Sequence, residues 1–219
     1  MTQPGDLAAD TGPAMVLADD ACADVLSTVI ADAFFDLAAS KWLIPDEAAR
    51  RQIYPGYFGL YVEHALADGI VLTTPDQAAV ALWLPAGEEP AAPPDWHDER
   101  LAEVTGPWVD RFRAFNQELG RRHPAGFAHH HLAILAVRRD RQGQGLGSAL
   151  LRAHHAALDR DGIPAYLEAS SMRSRRLYLA HGYEALGGPI FLPGAAMFPM
   201  LRQPCPGGQP EGEGTRERR

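Results

Sequence analysis

The chain has 219 residues, 46% of them hydrophobic, and a formal net charge of −8 from 20 Lys and Arg against 28 Asp and Glu. That length buries one sizeable core and favours one domain over two, while the acidic balance excludes a general nucleic-acid surface, which needs a concentrated basic face. Two cysteines, Cys22 and Cys205, are too few for a disulfide framework or a thiolate zinc site. The first residues lack the basic segment and apolar run of a signal peptide, and the longest apolar stretch, Leu132 to Val137, is far too short to span a bilayer. The expectation is a soluble, cytoplasmic monomer or homodimer with no nucleic-acid or membrane partner.

Residues 1–13 are polar and Pro/Gly-bearing, and residues 203–219 combine Pro, Gly, Glu and Arg with almost nothing apolar. Both are expected as disordered tails around a single domain over residues 14–202. Met15 to Leu17 reads as a short strand. Asp19 or Asp20 is then placed to cap a helix with Cys22, Leu26, Val29, Ile30, Ala33 and Phe34 on one face. A second helical stretch covers about Glu47 to Ala67, with an interruption expected near Pro55, because proline lacks the N–H and crowds the preceding turn. Ile70 to Thr74 and Ala78 to Leu84 are β-rich runs around Pro75-Asp-Gln77, which predicts a hairpin. After the connection Pro85 to Asp98, Leu101, Val104, Trp108, Phe112, Phe115 and Leu119 recur at helical spacing, with Gly120 to close the helix.

The segment that follows carries the chemistry. His131 to Val137 is a buried-type strand, Arg138 to Gln144 a polar glycine-containing turn, and Gly145 to Asp161 an amphipathic helix ended by Gly162 and Pro164. Ala165 to Ala169 gives another strand, Ser174 to His181 a short helix, and Tyr183 to Leu186 plus about Ala195 to Met200 two closing strands. A strand feeding a glycine-rich turn into a helix exposes backbone N–H groups at the positive end of the helix dipole, an anion site suited to a pyrophosphate. Gly143, Gly145 and Gly147 let the backbone take unusual torsions, and Ser148 adds a hydroxyl donor. By itself the pattern reads equally as a turn without a ligand. A P-loop would need Lys-Ser/Thr after its last glycine, where this chain has Ser148-Ala149. A dinucleotide fold would need GxGxxG early in the chain, not GxGxG late in it, although Glu168 lies at a compatible distance beyond the loop.

Val137-Arg-Arg-Asp-Arg-Gln-Gly-Gln-Gly-Leu-Gly-Ser-Ala-Leu-Leu151, Ala165-Tyr-Leu-Glu-Ala-Ser-Ser171 and Leu177-Tyr-Leu-Ala-His-Gly-Tyr183 together resemble the core of the GNAT acetyltransferases, and among them small-molecule enzymes of the puromycin N-acetyltransferase type. Gln142, Gly145 and Gly147 meet that family's (Gln or Arg)-x-x-Gly-x-(Gly or Ala) pattern. The resemblance is specific from about His131 to Leu186. It implies an α/β (α+β) fold, the GNAT acyl-CoA N-acyltransferase fold, with a mixed central sheet of about 6–7 strands flanked by helices. The sheet would splay between the strands at 131–137 and 165–169. Acetyl-CoA would be the co-substrate, its pantetheine held by the backbone of Leu135, Ala136 and Val137. Its pyrophosphate would lie on Gln142, Gly143, Gln144, Gly145, Leu146, Gly147 and Ser148. Two positions depart from the family: Arg139 replaces a usual proline, and Ser174, which either bonds the cofactor or caps its helix, stands where asparagine is common.

The resemblance makes Tyr178 the general acid for the leaving thiolate. The reaction also needs a base for the incoming ammonium and a donor for the developing oxyanion. Two residues suit the base. His131 would share a strand face with His129, away from His130, and Glu168 would border the cofactor gap, unless it is tied in a structural ion pair with Arg173. Because alternation separates His130 from its neighbours and no carboxylate adjoins the triplet, no metal is expected. Tyr54, Tyr57, Tyr61 and Glu63 are candidates to line the pocket of a small-molecule amine. The alternatives are a protein or peptide N-acetyltransferase and a non-catalytic acyl-CoA-binding regulatory module.

Overall fold

Ala79 to Trp83 carry no charge and are all fully buried, so this strand must be covered on both faces. It forms the middle of the sheet. The computed structural model describes residues 14–89 and 97–205, so the tail readings for 1–13 and 206–219 lie outside the described residues. In chain order these residues form β1 (Val16–Leu17), α1 (Ala23–Phe34), α2 (Ala38–Leu43), α3 (Glu47–Asp68), β2 (Ile70–Thr73), β3 (Ala79–Ala86), α4 (His97–Thr105) and α5 (Val109–Gly120). They continue with β4 (His129–Val137), α6 (Leu146–Asp161), β5 (Ala165–Ala169), α7 (Met172–Ala180), β6 (Glu184–Ala185), β7 (Ile190–Leu192) and β8 (Ala195–Arg202). The strands run β1-β2-β3-β4-β5-β8-β6, with β7 hydrogen-bonded to β8. Only the β4–β5 neighbours are parallel.

This is the expected mixed sheet, enlarged by the β7–β8 hairpin. Ile190, Leu192 and Met197 of that hairpin pack against Trp42 of α2 and Phe115 and Leu119 of α5. One face of the sheet buries Val80, Leu82, Ile134 and Ala136 under Leu26, Ile30, Tyr54, Phe58, Leu60 and Phe112 of the first five helices. The other buries Ala79, Ala81, Trp83 and Leu132 under Leu146, Leu150, Leu151 and Leu158 of α6.

Three expectations change. The helix read across Leu101 to Leu119 is two helices joined by a 3-10 turn at Gly106–Trp108, because Gly106 takes φ +52° and Pro107 has no N–H to donate. Conversely, α3 runs unbroken past Pro55. The missing donor costs about 3 kcal/mol, but Tyr54, Tyr57, Phe58, Leu60 and Val62 around it are buried, at about 1.5–3 kcal/mol for each large apolar side chain. Packing therefore outweighs the break. Finally, α7 begins at Met172, not Ser174, because Ser171 is its cap.

Candidate active site

β4 and β5 are paired only at His130 with Ala165 and His131 with Tyr166. Beyond His131 the two strands part, leaving the rest of β4 with a free edge on that side. The Arg138 N–H donates to the Ala78 carbonyl at 2.8 Å, in register with the pairs Ala136/Val80 and Leu135/Ala81. Antiparallel positions alternate between bonded and non-bonded, so Ala136 turns its backbone groups toward β3, and Leu135 and Val137 turn theirs into the gap. Of the three strand residues expected to meet pantetheine, Leu135 and Val137 therefore turn backbone groups into the gap, while Ala136 lines it.

The gap runs onto the start of α6. Gly145 is its N-cap at φ +80°, with no side-chain cap hydrogen bond, and the Ala149 N–H closes the first turn on the Gly145 carbonyl at 3.0 Å. The N–H groups of Leu146, Gly147 and Ser148 are thus the unpaired donors of a helix start. A cleft of about 470 Å³ opens there, lined by Leu135 to Val137, Gln142, Gly143, Gly145 to Ser148, Arg141 and Arg173, and by Ser174 and Tyr178 at its inner end. Gln142 Nε2 donates to the Val137 carbonyl at 3.1 Å, which ties the loop to the strand end. Gln144, expected beside the phosphates, turns away: its side chain donates to the Asp140 carbonyl and accepts from Arg141 Nε.

A second cavity, of about 530 Å³, meets the cleft at Leu135, Ser174 and Tyr178. Its wall includes the aromatic rings of Phe34, Tyr54, Tyr57, Phe58, Tyr61 and Phe115. The three tyrosines expected there are present, and the Tyr57 and Tyr61 hydroxyls share a hydrogen bond of 3.1 Å. Glu63 is not part of the wall; it pairs with Arg100 at 2.7 Å on the surface.

At the inner end of this cavity the two candidate bases are one unit: His131 Nε2 lies 2.9 Å from Glu168 Oε2, with side chains 20% and 6% exposed. A bulge makes this contact. Leu82 faces Ile134 but Trp83 faces Leu132, so Ala133 is an extra residue in β4 and the alternation slips by one. Without that slip His131 would lie opposite the face carrying Ile134. Burial pushes the Glu168 carboxyl up, but His131, the Tyr166 hydroxyl and His123 outweigh it and hold the group below its usual value. It is a carboxylate at neutral pH. Arg173, the expected ion-pair partner of Glu168, lines the cleft at the start of α6 instead.

Tyr178 is 7% exposed and borders both cavities, and burial pushes its phenol well above its usual value, so it keeps its proton. Ser174 borders both as well, but its hydroxyl is engaged in a capping box: Ser174 N–H donates to Ser171 Oγ, and Ser171 N–H to Ser174 Oγ, each at 3.1 Å. Ser174 thus takes part in capping α7, as the third helical residue of a capping box whose N-cap is Ser171. Sequence reasoning missed His123, from the turn after α5, whose ring stands 4.9 Å from those of His131 and Tyr166. No periodicity marks it, because only the fold brings that turn over β4.

Residues 111–185 match the model of the acetyltransferase (GNAT) domain. The whole fold is similar to that of the histone acetyltransferase HPA2 and related acetyltransferase from Corynebacterium glutamicum, at 25% identity and a TM-score of 0.67 over 88% of this chain and 96% of that one. It is also similar to arylalkylamine N-acetyltransferase 2 from Aedes aegypti (19% identity, TM-score 0.59, 87% and 98% covered). A GCN5-related N-acetyltransferase from Rhodopseudomonas palustris shares the fold too (15%, 0.53, 88% and 96%). The match thus places a GNAT acetyltransferase domain over the loop and its neighbouring strands, residues 111–185, and the likeness to solved acetyltransferases extends the fold over most of the chain.

Proposed function

We propose that the protein transfers an acetyl group from acetyl-CoA to an amine of a small molecule by direct attack. The observation that carries this reading is the meeting of two cavities at Tyr178, one leading to an uncapped, glycine-rich helix start and the other to the His131–Glu168 pair. The donor set fits acetyl-CoA: unpaired N–H groups with Arg141 and Arg173 for its phosphates, and the free edge of β4 at Leu135 and Val137 for its amide-bearing arm. When bound, acetyl-CoA supplies the thioester from which the acetyl group leaves. His131, held by Glu168, takes the proton of the ammonium so that a neutral amine attacks, and an N–H on the free edge of β4 donates to the carbonyl oxygen. Tyr178 gives its proton to the departing sulfur.

The aromatic wall of the acceptor cavity supports a small molecule with an apolar body, and the similar fold of the mosquito arylalkylamine enzyme agrees with that class. Free Cys22 and Cys205 fit a cytoplasmic setting, where thiols stay reduced, and no described helix is long and apolar enough to cross a membrane. A panel of amines and peptides incubated with acetyl-CoA, read by product mass, tests the proposal. An acetylated small amine is expected. Mass shifts only on peptides would move the protein to the peptide class, and tight acetyl-CoA binding with no product of either kind would make it a binding module.

A further inference from the structure

We infer that His123, His131 and Glu168 form a binding site for a borderline transition-metal ion, with Zn²⁺ as its type, and that the ion competes with the acceptor amine. The triplet His129–His131 is a poor metal site by itself, since alternation separates the middle ring. Folding supplies what the triplet lacks, a carboxylate from β5 and an imidazole from the turn after α5. One ligand atom from each of the three residues lies within 4.8 Å of the others. Zn²⁺, with bonds of about 2.0–2.2 Å, spaces its ligands roughly 3.3–3.5 Å apart, so the His131–Glu168 pair, hydrogen-bonded at 2.9 Å, has only to open by about 0.5 Å to bracket the ion. Small side-chain rotations bring in the third.

The outer shell supports the same assignment. His129 Nδ1 lies 3.1 Å from the Phe127 carbonyl, which can only accept, so that nitrogen carries the proton. His129 Nε2 is then an acceptor, and His123 Nε2, 3.0 Å away, is its donor. The chain from carbonyl to His129 to His123 thereby fixes the tautomer of His123 and leaves its Nδ1 with a free lone pair. Metal-binding histidines are commonly held by such partners. Two imidazoles and one carboxylate leave a tetrahedral ion one open position, and all three residues line the 530 Å³ cavity that provides it and an entry path. Bound at His131 Nε2, the ion displaces the proton donated to Glu168, the ring's proton moves to Nδ1, and the lone pair that takes the amine's proton is lost. That competition rests on the acetyl-transfer reading; the binding itself does not.

Equilibrium dialysis of the full chain against ZnCl₂, with metal quantitation and a visible spectrum of the Co²⁺-substituted protein, tests the site without reference to activity. About one ion per chain is expected, with a tetrahedral Co²⁺ spectrum. Affinity should fall at least about tenfold in both His123→Gln and Glu168→Gln, and stay unchanged in His154→Gln, a control from the His130–His154 pair on the opposite face. Retention of no metal, or binding that survives both His123→Gln and Glu168→Gln, overturns the site. In the second arm, read by product mass, Zn²⁺ should inhibit amine acetylation reversibly. His123→Gln should need about tenfold more Zn²⁺ for half-inhibition, measured against its own metal-free rate. Full activity of the Zn²⁺-loaded protein overturns the competition. A chain that binds Zn²⁺ at these residues but acetylates no amine keeps the site and loses the proposed function.

Discussion

Glu168→Gln keeps the shape of a buried side chain while deleting its charge. Glu168 is 6% exposed and its partner is His131 at 2.9 Å, so the contact is a charge-assisted hydrogen bond, worth about 1.5–3 kcal/mol. If the carboxylate orients His131 and stabilises the proton it receives, that interaction is lost in the transition state. At 1.36 kcal/mol per decade, kcat/KM for the amine should then fall about 10- to 150-fold. A carboxylate acting as the base itself would cost up to about 10⁴-fold, so the size of the loss separates positioning from proton abstraction. Initial rates of acetylated product at saturating acetyl-CoA measure it, and an unchanged melting shift on adding acetyl-CoA shows that the cleft is intact. A variant within twofold of the parent would refute the reasoning.

Tyr178→Phe removes the proton donor without its ring, and should lower kcat about 100-fold while leaving the acetyl-CoA KM within threefold; an unchanged kcat would exclude the acid role. The glycines of the loop should separate: Gly145 sits at φ +80° with no atom near an added Cβ, so Gly145→Ala costs about 1–2 kcal/mol of backbone strain. An added Cβ at Gly147, a helical position, meets Leu135, Leu177 and Val137 at 3.7–3.8 Å, so Gly147→Ala should fold within about 0.5 kcal/mol of the parent. Equal losses in urea unfolding would contradict both. Burial pushes His154 down to about 4 and His155 to about 3. Below pH 6.5 the unfolded chain therefore binds protons that the folded chain refuses, and stability present at neutral pH falls away toward pH 4. About 1–2 kcal/mol per histidine should be lost by pH 5, measured by urea unfolding; a flat profile, or one that His154→Gln and His155→Gln leave unchanged, would remove this account.

The centre of the fold and the glycine loop with its cleft were legible in the residues. Apolar runs, the glycine loop and the Tyr178 helix are local signals; the central strands and the loop land where their patterns put them, and the helix starts two residues earlier, at Met172. The second cavity was legible only in part. Tyr54, Tyr57 and Tyr61 line it as expected, yet the contact between His131 and Glu168 joins residues 37 positions apart and depends on a bulge that leaves no mark in hydrophobic alternation. His123 lies in a turn without periodicity. The short α2 and β7 were unread because elements of six and three residues show no full repeat. Pro55 misled in the opposite way, since a local breaker lost to the burial around it.

The central claim is direct transfer in one complex where the two cavities meet at Tyr178, and a matrix of initial rates against acetyl-CoA and a responsive amine tests it most directly. Lines in the double-reciprocal plot that intersect, with no acetylated protein detected by intact mass in the absence of amine, are the predicted result. Parallel lines together with an acetylated side chain would mean that the acetyl group passes through the protein, and would contradict the account.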